Sequence, residues 1–258
     1  MRAKGLLLDL EGVLYQDGSV LNGAVEALQS LKEADIQIRY LTNTTTRCRR
    51  QIVERIQGYG IGVSEDEVFS PAIATRFFLE SKSLTSLFLA TESDLLEDFR
   101  GFELDSKTPE AVIMGDIHTR FNWATLDHIF ALVQSGVCLI ALHKNRYCRR
   151  DGHISLDLGP FVTAIEYASG VEAIVMGKPD AGFFHMALRD LDLPHSDVVM
   201  VGDDPYSDIG GARSAGIRAV QVKTGKYKPL VYGEGSGEAP EPDALIGSIA
   251  DLPALLEI

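Results

Sequence analysis

Acidic residues follow two apolar segments of this sequence: Asp9 and Glu11 after the first, Asp203 and Asp208 after the second. If these carboxylates meet in the folded chain they repel one another, and a cation or protonation makes the arrangement tolerable. Carboxylate oxygens suit Mg²⁺, which often binds through one or two of them together with water and substrate phosphate. A carboxylate can also attack phosphorus and pass through an aspartyl-phosphate. The four residues therefore predict phosphoryl-transfer chemistry at a Mg²⁺ site.

A hydroxyl and an amine complete the candidate set. Thr42 follows the apolar run 36–41, and Lys178 stands in the tripeptide Gly177-Lys178-Pro179. Because proline biases the preceding residue away from helical backbone, we expect a loop to present the lysine amine. Phosphoryl transfer requires mainly positioning and charge neutralisation, and these two side chains could supply both.

The elements that must position these residues follow an alternating pattern of short apolar runs and helical periodicity, which favours β-α-β units and a parallel sheet. In an open parallel sheet, ligands bind outside the carboxyl ends of the strands. Asp9, Thr42 and Asp203 each fall at or just after such an end, so neighbouring strands would bring them together. The predicted strands are 5–10, 36–41, 173–176, 198–201 and 219–222, and the predicted helices are 24–32, 47–56, 183–191, 207–215 and 252–256.

The middle of the chain has its own apolar runs. Strand candidates at 87–90, 111–114 and 137–142 surround a helical pattern at 123–133. This stretch could hold a small core, which indicates a second domain inserted into the first. We expect a catalytic core at 1–80 and 173–258 and an inserted domain at 81–172.

Composition excludes several classes of function. The 37 acidic residues outnumber the 24 Lys and Arg residues, giving a formal net charge of −13, which disfavours binding to nucleic acid or to an anionic membrane. No apolar run approaches the length of a membrane-spanning helix, and the first residues do not form a signal peptide. The 3 cysteines match no zinc motif and cannot all pair, so we expect a reducing, cytoplasmic setting.

Four segments, taken together, resemble motifs I to IV of the haloacid dehalogenase superfamily. They are Asp9-Leu10-Glu11-Gly12-Val13-Leu14, Leu41-Thr42-Asn43, Gly177-Lys178-Pro179, and Gly202-Asp203-Asp204 with Asp208. The inserted domain looks like the α/β type C2 cap of the NagD-like phosphatases in that superfamily. The resemblance thus implies an α/β fold, with a Rossmann-like parallel-sheet core and an inserted cap.

A narrower similarity involves the group of phospholysine/phosphohistidine/inorganic pyrophosphate phosphatases. It is carried by residues 156–160, 166–168, 171–179 and 224–229. It extends the resemblance over nearly the full chain.

The resemblance implies a role for each matching residue. Asp9 would attack phosphorus, Thr42 and the backbone near Asn43 would bind the transferring phosphoryl group, and Lys178 would neutralise charge. Asp9, the backbone carbonyl of Glu11 and Asp203 would bind Mg²⁺. Asp208 would complete the metal site by holding the waters of the metal or the geometry of the loop.

Glu11 departs from the superfamily pattern, in which most phosphatases carry an aspartate two residues after the nucleophile as general acid and base. Glutamate keeps the carboxyl group but adds a methylene, and a misplacement of ~1 Å can reduce a rate about 10²-fold. Two hypotheses stay open: Glu11 protonates the leaving group from an altered position, or it has no part in proton transfer. The second would make the chain a catalytically weak phospho-ligand-binding or regulatory protein.

Residues 143–151 form the most basic segment of the chain, with four Lys or Arg residues and one acid. Such a run is either a solvated face or, as in NagD-like relatives, a cap loop that contacts the leaving group. Arg146 and Tyr147 are the substrate-binding candidates in this segment.

In the acidic motif at 202–208, Asp204 precedes Pro205, which predicts that Asp204 is a helix N-cap in place of a metal ligand.

The combined expectation is a Mg²⁺-dependent phosphatase acting on a small phosphorylated compound, such as pyrophosphate, phosphohistidine or phospholysine. A dehalogenase of the same superfamily needs no Mg²⁺, and the acidic motif at 203–208 argues against it. A receiver domain phosphorylated on Asp9 shares the acids and the lysine, but it has no place for the inserted domain. Relatives commonly dimerise through the cap, so a homodimer is the partner hypothesis.

Overall fold

The computed structural model describes residues 1–150, 153–227 and 240–258, without the side chain of Arg149. One residue of the basic segment, Asp151, therefore lies outside the described residues. The same holds for most of residues 231–243, whose Gly-, Pro- and Glu-rich sequence predicts a loop. The chain divides into two compact units. The first unit comprises Met1–Thr42, Arg50–Phe69 and Lys178–Ile258, and the second comprises Asn43–Arg49 and Ser70–Gly177.

The first unit is built on a six-stranded parallel sheet. Its strands run in the order Ala244–Ile246, Arg218–Val222, Val198–Gly202, Gly5–Asp9, Gln37–Leu41 and Val68–Phe69. The two central strands are buried along their whole length, as expected for apolar runs in a parallel sheet that is covered on both faces.

Helices complete the first unit, and apolar spacing accounts for them. Ala24, Ala27, Leu28 and Leu31 form the buried face of the first helix, at the period of an amphipathic helix. The helices are Ala24–Glu33, Arg49–Gly58, Ala181–Leu191, Gly211–Ser214 and Leu252–Leu256, with a π-helical turn at Pro205–Gly210. Short 3₁₀ turns occur at Glu65–Glu67, His195–Asp197 and Ile249–Asp251, and a small hairpin pairs Tyr15–Gln16 with Ser19–Val20.

The second unit has a separate five-stranded parallel sheet. Its order is Ile174–Val175, Cys138–Ala141, Ala111–Met114, Ser86–Ala90 and Glu103–Leu104. The helices of this unit are Pro71–Ser81, Trp123–Gln134 and Leu158–Ser169, with 3₁₀ turns at Ser93–Glu97 and His118–Arg120. An antiparallel hairpin pairs Tyr147–Arg150 with His153–Leu156.

The predicted α/β class with a parallel-sheet core is confirmed. Three predicted elements differ from the structure, and the helices Pro71–Ser81 and Leu158–Ser169 were not predicted. The strand predicted at 173–176 as part of the core pairs with Cys138–Ala141, so it belongs to the second sheet. The segment at 143–151, predicted as a loop, contains the strand Tyr147–Arg150. The single helix predicted at 207–215 is a π-helical turn followed by a short α-helix.

The helix Pro71–Ser81 explains where the two units divide. Its residue Arg76 donates hydrogen bonds to the carbonyl oxygens of Asp98 (2.7 Å) and Arg100 (3.0 Å), both in the second unit. The units therefore divide at 69/70 and 177/178, and residues 43–49 also belong to the second unit, whereas the sequence predicted domain boundaries at 80/81 and 172/173. Among the helices of the described ranges, none has the length and apolarity to cross a membrane.

Candidate active site

The central strands of the first sheet bring the acidic motifs together. Gly5–Asp9 lies between Val198–Gly202 and Gln37–Leu41, with Leu8 beside Val201 and Asp9 beside Leu41. Since all three strands are parallel, their carboxyl ends meet at one edge of the sheet. Asp9, Thr42 and Asp203 therefore emerge at neighbouring positions of that edge.

Lys178 is the electrostatic centre of this edge. Its Nζ donates to Oδ1 of Asp9 at 2.5 Å and to Oδ1 of Asp208 at 2.6 Å, although the residue is only 3% exposed. Burial of an ammonium lowers its pKa, but the carboxylates of Asp208 and Asp9 outweigh that effect and raise the pKa of Lys178. The amine is therefore held as a cation between two carboxylates.

Three buried carboxylates form a group that can bind a divalent cation. One oxygen each from Asp9, Asp203 and Asp208 lie within 4.8 Å of one another. Burial raises the pKa of Asp203, and the nearby Asp9 and Asp208 raise it further. Burial likewise raises the pKa of Asp208, with Lys178 opposing the shift. This hard-oxygen, anion-rich donor set fits Mg²⁺.

Asp208 bridges the lysine and the loop that carries Asp203. Its Oδ1 accepts from Lys178, and its Oδ2 accepts from the backbone N–H of Asp204 at 3.1 Å. Gly202 permits this approach, because a β-carbon there would overlap the Asp208 side chain. Both oxygens of Asp208 are thus engaged by the protein, which favours positioning of Lys178 and of the loop over direct metal ligation.

The predicted N-cap at Asp204 is confirmed. Its Oδ1 accepts from the backbone N–H groups of Tyr206 and Ser207, each at 2.9 Å, and Pro205 takes the first position of the turn.

Glu11 does not join the carboxylate group. Its side chain is exposed, and the group formed by the described residues contains only the three aspartates. Burial is the main cause of the raised pKa of Tyr15, and the Glu11 carboxylate adds a smaller contribution. For Arg55 burial lowers the pKa, but the hydrogen bond to Tyr59 and, more weakly, the charge of Glu11 raise it. The metal-binding role predicted for its backbone carbonyl, and its role in proton transfer, stay predictions.

The substrate-binding candidates lie in both units. Thr42 is buried in the first unit, where its backbone N–H donates to the carbonyl oxygen of Phe69 at 3.3 Å. Asn43, Arg146 and Tyr147 lie in the second unit, and their contact with substrate stays a prediction.

The basic segment is partly neutralised within its own unit. Lys144 pairs with Glu166 at 2.8 Å, and Arg150 pairs with Asp116 at 2.7 Å. These ion pairs reduce the positive charge that the segment could offer to an anionic substrate.

The strand Arg218–Val222 and the loop after it also contact Asp203, and these contacts were not predicted from the sequence. Gln221 donates from Nε2 to the carbonyl oxygen of Asp203 at 3.0 Å, and the backbone N–H of Lys226 donates to Oδ2 of Asp203 at 2.5 Å. The sequence offered a signal for these contacts, because 219–222 is a predicted strand of the same sheet. Residues at the carboxyl end of such a strand are expected near the ligand site, as Asp9 and Asp203 are.

The fold and the site together define a class of protein: an α/β protein that carries an aspartate cluster and a lysine at the carboxyl ends of the strands of a Rossmann-like parallel sheet. Two family models match the chain, one described as haloacid dehalogenase-like hydrolase at residues 6–105 and one described as HAD-hydrolase-like at residues 175–252. This chain belongs to the haloacid dehalogenase-like hydrolase family. The superfamily resemblance inferred from the four motifs is confirmed.

Curated relatives match most of the chain. Haloacid dehalogenase-like hydrolase domain-containing protein 2 of Homo sapiens is 40% identical over 87% of this chain and 86% of its own length. Phospholysine phosphohistidine inorganic pyrophosphate phosphatase of Danio rerio is 37% identical over 88% of this chain and 85% of its own length.

Solved structures share the fold over nearly the whole chain. The p-nitrophenyl phosphatase from Archaeoglobus fulgidus has a TM-score of 0.89 and 27% identity, covering 99% of this chain and 100% of that chain. NagD from E. coli K-12 has a TM-score of 0.85 and 23% identity, covering 97% and 98%. The NagD-like fold that the motifs implied is therefore confirmed.

Proposed function

We propose that this chain is a Mg²⁺-dependent phosphatase that hydrolyses a small phosphorylated compound through a phospho-aspartate on Asp9. The observation that carries the proposal is the buried Lys178, held between Asp9 and Asp208 with Asp203 close by. The similarity to proteins named as phosphatases supports the same reaction class.

The first step transfers the phosphoryl group to the protein. Lys178 holds Oδ1 of Asp9, so Oδ2 attacks phosphorus while the bond to the leaving group breaks. The Lys178 ammonium neutralises charge on the carboxylate and the phosphoryl group, and the Thr42 hydroxyl donates to a phosphoryl oxygen. Mg²⁺ bound by Asp9 and Asp203 would supply the remaining charge neutralisation.

The second step restores the carboxylate. Water attacks the phosphorus of phospho-Asp9, the bond to the Asp9 oxygen breaks, and inorganic phosphate leaves. For the physiological compound we propose pyrophosphate, phosphohistidine or phospholysine, because a 37% identical relative is named for these three compounds. A screen of these compounds, with p-nitrophenyl phosphate as a generic substrate, tests the choice.

Asp9→Asn tests the mechanism. The variant should fold normally and lose turnover of p-nitrophenyl phosphate, and acid quenching of the wild type with ³²P-labelled substrate should trap labelled protein. Asp35→Asn is the matched control, because Asp35 is exposed in the same unit and its left-handed backbone tolerates asparagine. Full activity of Asp9→Asn would refute the aspartyl-phosphate route.

The exposed side chain of Glu11 favours a second candidate, a phospho-ligand-binding or regulatory protein with weak catalysis. In that case the wild type binds phosphorylated compounds without consuming them, and Glu11→Asp raises turnover sharply.

If Glu11 is instead the general acid, Glu11→Gln should slow hydrolysis of alkyl phosphates by about 10²–10⁴-fold. The loss should be smaller for p-nitrophenyl phosphate, whose leaving group needs little protonation.

The proposed setting is cytoplasmic, and the proposed partners are a small phosphorylated substrate and a second copy of the chain. Support for the homodimer comes from large apolar side chains on the second unit, where Trp123 is 78% exposed and Tyr167 is 92% exposed. Light scattering after size exclusion tests the oligomeric state, and a monomer at micromolar concentration would count against dimerisation.

A further inference from the structure

We propose that residues 223–227, which we name the clamp loop, are a positioning element of the active site. In this loop the Thr224 hydroxyl fixes the backbone beside the nucleophile, and the backbone N–H of Lys226 fixes the carboxylate of Asp203. The inference rests on the proposed function, because it assigns both residues to the chemistry of Asp9 and Mg²⁺.

The sheet delivers the clamp loop to the correct edge. The strand Arg218–Val222 is parallel to Val198–Gly202, with Gln221 beside Gly202. Residues that follow Val222 therefore emerge beside Asp203, which follows Gly202.

Thr224 ties the clamp loop to the loop that follows Asp9. Its hydroxyl donates to the carbonyl oxygen of Gly12 at 2.5 Å, and the next residue, Gly225, donates its N–H to Oε1 of Gln16 at 3.2 Å. Gly12 follows Glu11, whose own carbonyl is the expected metal ligand. A fixed Gly12 carbonyl therefore restrains the orientation of that ligand.

Two glycine backbones and one N–H enclose the carboxylate of Asp203. Gly12 (φ +89°) and Gly225 (φ +55°) have left-handed backbone, and a β-carbon at either position would overlap Oδ2 of Asp203. The same Oδ2 accepts from the backbone N–H of Lys226. Contacts from both loops thus converge on one carboxylate oxygen, a closer enclosure than a simple strand connection requires.

Metal binding makes this restraint functional. Mg²⁺ demands near-ideal octahedral geometry, so a carboxylate and a carbonyl that bind it must be held in place. Loss of groups that orient metal ligands typically weakens metal affinity or activity by about 10–100-fold. The clamp loop should therefore affect Mg²⁺ affinity more strongly than it affects folding.

Thr224→Val removes the hydroxyl at nearly constant volume, and Thr224→Ser retains it. Thr75→Val is the matched control, because the Thr75 hydroxyl also donates to a backbone carbonyl, that of Pro71 at 2.7 Å, within the second unit. The readouts are the Mg²⁺ Kd from isothermal titration calorimetry, the Mg²⁺ concentration for half-maximal turnover of p-nitrophenyl phosphate, and Tm.

Thr224→Val should raise the Mg²⁺ Kd by about 10-fold or more, whereas Thr224→Ser and Thr75→Val should retain the wild-type Kd. A wild-type Kd in a folded Thr224→Val protein would overturn the proposal. If that variant does not fold, Thr224→Ala takes its place with the same expectation. Absence of turnover in the wild type would refute the phosphatase function instead, while the calorimetric titration would still decide the clamp loop.

Discussion

Lys178→Met is the sharpest test of the electrostatics of this site, because it removes the ammonium and keeps an apolar stem of similar length. The variant leaves Asp9 and Asp208 buried without their shared cation. One oxygen of each lies within 4.8 Å of the other, and at an effective dielectric constant of 20 this limit corresponds to a repulsion of at least about 3.5 kcal/mol between full charges. Removal of one partner from a buried ion pair typically lowers stability by about 3–5 kcal/mol.

We therefore expect the free energy of unfolding of Lys178→Met, measured by urea denaturation without Mg²⁺, to fall by about 3–5 kcal/mol. Addition of Asp208→Asn should recover part of this loss, because it removes one of the two stranded charges. Lys178→Met should abolish turnover of p-nitrophenyl phosphate, and the added Asp208→Asn change should not restore it.

Lys144→Met is the matched control, since Lys144 pairs with Glu166 but its side chain is 36% exposed. Exposed pairs contribute about 0–1 kcal/mol, so its stability should change little. The reasoning is refuted if Lys178→Met is as stable as the wild type, or if Asp208→Asn destabilises it further.

Two other measurements test separate parts of the molecule. Removal of Mg²⁺ with a chelator should abolish turnover and lower the Tm of the wild type. The Tm of Asp203→Asn should not respond to Mg²⁺. If its Tm responds as much as that of the wild type, Asp203 is not a metal ligand. In the second unit, the backbone N–H groups of Thr85 and Ser86 donate to Glu110 and lower its pKa from 4.5. A carboxylate with a lowered folded-state pKa stabilises the protein above its unfolded pKa and loses that contribution as pH falls through the folded value. Urea denaturation should therefore show wild type more stable than Glu110→Gln at pH 7, and this difference should shrink towards pH 3; a constant difference would contradict the assignment.

The sequence predicted that the candidate site residues lie at the carboxyl ends of neighbouring strands, because the signal at each strand end is local. Asp9, Thr42 and Asp203 each follow an apolar run, and the parallel sheet brings such strand ends together whatever their separation along the chain. The contact between Lys178 and Asp208 is different. It depends on a π-helical turn of six residues at Pro205–Gly210, and composition does not reveal how its hydrogen bonds are arranged.

The missed elements have physical reasons of their own. The helix Pro71–Ser81 has an N-cap at Ser70 and proline at its first position, but its first five residues are all buried and give no amphipathic stripe. The helix Leu158–Ser169 has Gly159 and Pro160 in its first turn, which resembles a turn more than a helix. The strand Ile174–Val175 was placed in the wrong sheet because a two-residue strand carries no signal of its pairing partner.

The order of the strands in the first sheet has a consequence for biosynthesis. Gly5–Asp9 is synthesised before the second unit, yet one of its two neighbours in the sheet, Val198–Gly202, is made only after that unit is complete. During that interval one side of the strand has no partner, and unpaired strand edges promote association with other chains. The second unit is nearly continuous in sequence, and we expect it to fold while the first is incomplete. A ribosome-bound chain ending near Gly177 would therefore carry Asp9 without Lys178, so a chaperone that protects the open strand would act before any catalytic competence exists.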